Sequence, residues 1–144
     1  MREAQTMTDL RLDFGRPALP ADVALIYGDP SVLEGRCMAI LQHLSRITRR
    51  RASALAGAVP VLASLARCYL LEQRAQGTTG VSVGSPASGV SVHFLIYVLD
   101  HLPAGLWPRE QGVLRTLIDG AIATWREANP GVTPEPVVVG IGIV

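Results

Sequence analysis

Residues 80–99 read GVSVGSPASGVSVHFLIYVL, and the fold assigned to this chain turns on them. The tetrapeptide Gly-Val-Ser-Val occurs twice, nine residues apart, around a Gly/Pro/Ser loop. Loop chemistry of that kind between two alternating segments predicts a β-hairpin. The second arm runs on as His93-Phe-Leu-Ile-Tyr-Val-Leu99, which is apolar on both faces. A strand covered on both sides has this look and takes a central place in its sheet. A run this short also fits a helix, but the hairpin signal before it favours the strand.

Outward from this stretch the pattern alternates between the two periods. Leu10, Leu12 and Phe14 alternate with Arg11 and Asp13, and Val23, Leu25 and Tyr27 alternate again, which predicts two short strands. Asp29-Pro30 is a helix start, with a capping side chain before a proline that has no N–H to lose. Leu33, Cys37, Ile40, Leu41, Leu44 and Ile47 follow on one helical face. Residues 52–76 have helical composition, and Pro60 predicts a break or kink at 57–59 with the helix restarting on Val61, Leu62, Leu65, Tyr69 and Leu70. From Pro108 to Ala128 the apolar residues Val113, Leu114, Leu117, Ile118, Ala121, Ile122 and Trp125 share one face, and Asn129-Pro-Gly131 ends the helix. The uncharged segment from Val137 to Val144 reads as a last strand. Strands and helices are partly segregated along the chain. The expectation is a single α+β domain over residues 1–144, with residues 1–8 a flexible or partner-bound arm. It would hold a twisted mixed sheet of about five strands, and about three helices mainly on one face.

Composition narrows the classes of function. The chain has 144 residues, a common size for one domain. Hydrophobic residues are 49% and charged residues 17%, against a usual charged share of about 25%, which rules against intrinsic disorder and fits either surface hidden against a partner or an Ala- and Val-rich core from a composition-biased genome. A net charge of +1 gives no general attraction to nucleic acid or anionic membrane. Cys37 and Cys68 are isolated, read as reduced core residues, and suit a cytoplasmic protein. Residues 52–66 and 84–99, the uncharged stretches nearest to a membrane signal, fall short of the roughly 20 apolar residues of a spanning helix, and the N-terminus lacks a signal-peptide core.

Five features bear on chemistry. Gly80-Val-Ser82-Val-Gly84 matches the nucleophile-elbow pattern, with His93 and Asp100 as weak catalytic companions. The elbow needs a helix directly after the serine, and a Gly/Pro/Ser loop follows instead. The loop 84–89 lacks the lysine and following hydroxyl of a phosphate cradle. His43, His93 and His101 have no ligand spacing with each other or with the cysteines, so no metal and no cofactor is expected. Arg46, Arg49, Arg50 and Arg51 form the one charge cluster, suited to an acidic partner surface. The scarcity of aromatics, 5%, weighs against nucleic acid. Gly140 and Gly142 project to the same face of the last strand and permit close backbone approach.

These features favour a non-catalytic interaction or assembly subunit that self-associates, comparable in size and content to small α+β subunits of viral and other ring assemblies. Arg46, Arg49, Arg50, Arg51, Gly140 and Gly142 are its expected contacts. Two other readings compete with it. One is a small-molecule site or small enzyme with a pocket beside the 80–101 hairpin, using His93, Tyr97 or Asp100. The other is an adaptor binding an acidic surface or nucleic acid through Arg46–Arg51.

Overall fold

The computed structural model describes residues 30–50, 55–78 and 80–138, and 68% of them are helical. Four helices carry the fold: α1 (Pro30–Thr48), α2 (Leu55–Ala75), α3 (Val92–His101) and α4 (Pro108–Ala128). Two ladders of two residues per strand complete it. β1 (Val81–Ser82) pairs antiparallel with β4 (Val137–Val138), and β2 (Gly84–Ser85) with β3 (Gly89–Val90). The expected five-stranded α+β sheet is therefore wrong, and the described protein is a helical bundle. The strands expected at 10–14 and 23–27, the arm 1–8 and the end of the last strand lie outside the described residues.

The segment 93–99 is where the reading failed. Ser91 caps α3, its Oγ accepting from the Phe94 N–H at 3.2 Å, so one of the free amides of the helix's first turn is satisfied by the serine of the repeated Gly-Val-Ser-Val. Phe94, Leu95 and Val98 are buried while Asp100 is exposed. That is the three- and four-residue spacing of a helix. It was invisible in a run where nearly every residue is apolar. The Gly/Pro/Ser loop still turns back on itself, since β2 and β3 flank it. Gly84 makes the return: its φ is +85°, and a Cβ there would collide with the Gly89 carbonyl and the Ser91 nitrogen.

Pro60 does not break α2, which runs unbroken from Leu55 to Ala75. It stands in the second turn, so the helix loses one early hydrogen bond rather than a central one. The end of α2 is a Schellman turn: Gly77, at φ +90°, donates to the Arg74 carbonyl and Thr78 to that of Gln73, both at 3.0 Å. The end of α1 repeats it with Arg49 in the glycine position, at φ +56°; Arg49 donates to the Arg46 carbonyl at 3.2 Å and Arg50 to that of Ser45 at 3.1 Å.

α1, α2 and α4 touch one another, and α3 packs on α2 and α4. Their shared core holds Ile40, Leu41, Leu44, Leu62, Tyr69, Phe94, Leu95, Leu114, Leu117 and Ile118, all at 1% exposure or less. α4 therefore docks its expected face on helices, not on a sheet. Ile47 is exposed and Leu65 and Trp125 only half-buried. Cys37 is buried as expected; Cys68 is exposed, contrary to expectation. Among the described residues α2 alone is long and apolar enough to cross a membrane by length and composition, and 44% of that window is buried in the bundle.

Candidate functional site

α4 begins unusually. Trp107, the residue before its first turn, has φ 45° and ψ 59°, the left-handed region that bulky residues avoid. Gly105 is left-handed too. Pro108 follows at a position where its missing N–H costs nothing. The turn is held from within, because buried Gln111 donates from Nε2 to the Pro103 and Leu106 carbonyls. Holding the loop this way leaves Leu106 and Trp107 outside, 52% and 54% exposed.

This loop faces the start of α2 across a cavity of about 250 Å³ lined by Gly57, Pro60, Val61, Ser64, Pro103, Trp107 and Glu110. A shallower depression of about 200 Å³ adjoins it at Pro60 and Ser64, with Glu34 and Arg67 in its wall. Glu110 is the single charged residue among the described lining of the larger cavity. An acidic residue in a helix's first turn commonly reaches back to the amide before the helix. Here Glu110 lies instead over Gly57, where an added Cβ would stand 3.3 Å from Oε2.

A second cluster joins α2 to α3. The Tyr69 hydroxyl and His93 Nδ1 are 2.9 Å apart, and Tyr97 donates to Glu72 Oε2 at 2.9 Å. The Tyr97 and His101 rings stack with centroids 3.9 Å apart, and His101 Nδ1 donates to the Tyr97 carbonyl at 2.8 Å. Tyr69 meets Phe94 and Tyr97 at 5.2 Å. Burial pushes the Tyr69 phenol up to about 12, with the hydrogen bond to Ser91 pulling the other way. The Tyr97 phenol is also pushed up to about 12, by burial first and then by the Glu72 carboxylate. Both phenols stay protonated at neutral pH and act as hydrogen-bonding struts, not as bases.

The expected site residues do not converge. Ser82 is buried in β1 and its Oγ accepts from the Gly84 N–H at 2.8 Å, a local turn bond. No hydrogen bond joins Ser82, His93 and Asp100, and Asp100 is exposed at the end of α3. The two described cavities lie along α2, and neither is lined by His93, Tyr97 or Asp100. Arg46, Arg49 and Arg50 are exposed around the end of α1, with Arg46 3.3 Å from His43 Nδ1. Arg51, Gly140 and Gly142 lie outside the described residues. No group of three potential metal ligands occurs among the described residues. The cavity was missed because its residues were assigned other work: Pro60 a kink, and Leu106-Trp107-Pro108 a helix start. Three prolines bordering two helix starts were the available signal. No protein-family profile, curated protein or solved structure matches this chain.

Proposed function

We propose that this protein is a non-catalytic assembly subunit that self-associates through the outer edge of β4. The observation that carries the reading is Val138. It is 59% exposed on a strand paired with β1 on one side alone among the described residues. An exposed strand edge presents unpaired amide and carbonyl groups, and natural edges are usually blunted by charge or proline. Here the chain continues from Val138 with Val-Gly-Ile-Gly-Ile-Val and no charge at all. Val132, 54% exposed, adds apolar surface. Two copies related by a two-fold axis would join β4 to β4, giving the order β1-β4-β4-β1 and an isologous contact. Two-residue ladders are too small to stand alone, so extension by a second copy also stabilises each of them. The comparison with ring-forming α+β subunits falls with the sheet that prompted it.

Sedimentation equilibrium at low micromolar concentration tests this. The native chain is expected to be a dimer or larger, and Val138→Lys a folded monomer with an unchanged far-UV circular dichroism spectrum. A native chain that is monomeric at that concentration, or a Val138→Lys variant that keeps the native mass, refutes the reading.

A further inference from the structure

We propose that the cavity between α2 and the start of α4 binds a small organic cation, an alkyl- or quaternary ammonium group whose charge rests against Glu110 and whose carbon skeleton lies on Pro60, Val61 and Trp107. This site is separate from the β4 edge and stands whether or not the chain self-associates. Four observations converge on it.

First, the chemistry of the wall is lopsided. The described lining is apolar or small except for Ser64 and one carboxylate. Glu110 is half-buried there and is the one charged group of that lining, so it is the group able to meet a counter-charge. Second, Glu110 has no hydrogen bond or ion pair among the described residues, and it forgoes the helix-end amide that a glutamate at this position ordinarily takes. Its carboxylate lies instead over Gly57, where a Cβ would stand 3.3 Å from Oε2, so the missing side chain leaves room for it against α2. Third, an aromatic residue shares the wall. The face of an indole is the most favourable of the aromatic surfaces for a cation, and the pairing of ring and carboxylate suits an ammonium with carbon substituents. Fourth, Trp107 is kept here by a backbone conformation that costs energy for a bulky side chain, of the kind that persists where the surroundings over-determine it.

Size then selects among cations. Pockets for drug-sized ligands span roughly 300–1,000 Å³, and about 250 Å³ falls below them. A bare metal ion would find one carboxylate and no second carboxylate, histidine or cysteine in the described lining. A large aromatic amine would not fit. What remains is an ammonium bearing a few carbons.

The test uses the whole chain labelled with ¹⁵N, whose two tryptophans give two indole N–H signals, assigned with Trp107→Phe and Trp125→Phe. Choline and n-butylammonium are the probes, with 3,3-dimethylbutan-1-ol and n-butanol as their neutral counterparts. Saturable movement of the Trp107 signal is expected with at least one cation, at least tenfold tighter than with its neutral counterpart. Glu110→Gln should remove that preference while the remaining spectrum stays native. Gly57→Ala, which crowds the carboxylate without removing it, should weaken cation binding and leave the alcohols unaffected. Equal binding of cation and alcohol, unchanged cation binding in Glu110→Gln, or no saturable response to either cation up to about 50 mM, well beyond the millimolar range of weak specific sites, would overturn the proposal.

Discussion

Leu95→Ala and Ile96→Ala, made side by side, decide how residues 92–101 are folded. In α3, Leu95 is 1% exposed and Ile96 only half-buried. Truncating Leu95 removes three carbons from the core, about 2.4 kcal/mol at roughly 0.8 per carbon. A cavity that half-collapses, leaving roughly 40 Å³, adds about 1 kcal/mol. The expected loss is therefore about 3–4 kcal/mol for Leu95→Ala. Ile96 keeps part of its surface in water, so the same sum scales to about 1–2 kcal/mol. A strand would behave differently, because residues 94, 96 and 98 would share one face and 95 the other. Ser91→Ala supplies the independent control: losing the cap should cost about 1 kcal/mol in a helix and has no reason to matter to that degree in a strand. Urea unfolding followed at 222 nm measures all three, with the slope against denaturant required to stay constant so that midpoints report stability. Ile96→Ala costing as much as Leu95→Ala, with Ser91→Ala neutral, would refute the helix and the bundle built on it.

Two further outcomes follow from the described structure, beside the Val138→Lys and cation-binding tests. Arg49→Gly should stabilise the protein by about 1 kcal/mol, since glycine adopts the left-handed turn at the end of α1 without the Cβ penalty; Arg49→Ala keeps that penalty, so a thermal melt showing equal gains for both would move the cause to charge. Burial pushes the Cys37 thiol from 9.0 up to about 12, with the Arg36 charge pulling it down and the Glu34 charge pushing it up. The folded chain then holds its proton after the unfolded chain has lost it, so this contribution to stability is complete below pH 9 and declines as pH rises toward 12. Cys37→Ala should flatten that alkaline decline, and in the native protein at pH 8 a thiol reagent should modify exposed Cys68 well before buried Cys37.

What the sequence by itself determined is the pair of helices with a clean stripe. Leu33 to Leu44 and Leu114 to Ile122 lie at three- and four-residue spacing between polar neighbours, so one period is visible and one buried face follows. The starts at Pro30 and Pro108 and the turn at 86–88 were legible for a local reason: proline fixes φ and glycine opens the left-handed region wherever they stand. The cavity was not legible, since it joins residues 57–64 to 103–110, and the weak catalytic candidates Ser82, His93 and Asp100 are joined by no hydrogen bond. Tertiary structure alone decided three things. It made residues 92–101 a helix, because an almost wholly apolar run has no period of its own and takes its form from what it packs on, here α2 and α4 with Ser91 as cap. It paired β1 with β4 rather than with the second copy of Gly-Val-Ser-Val, because that copy was already committed to the hairpin edge and the start of α3. It left Glu110 over Gly57, because a side chain's neighbours across a bundle are set by how two helices cross, and no spacing within either helix records that crossing.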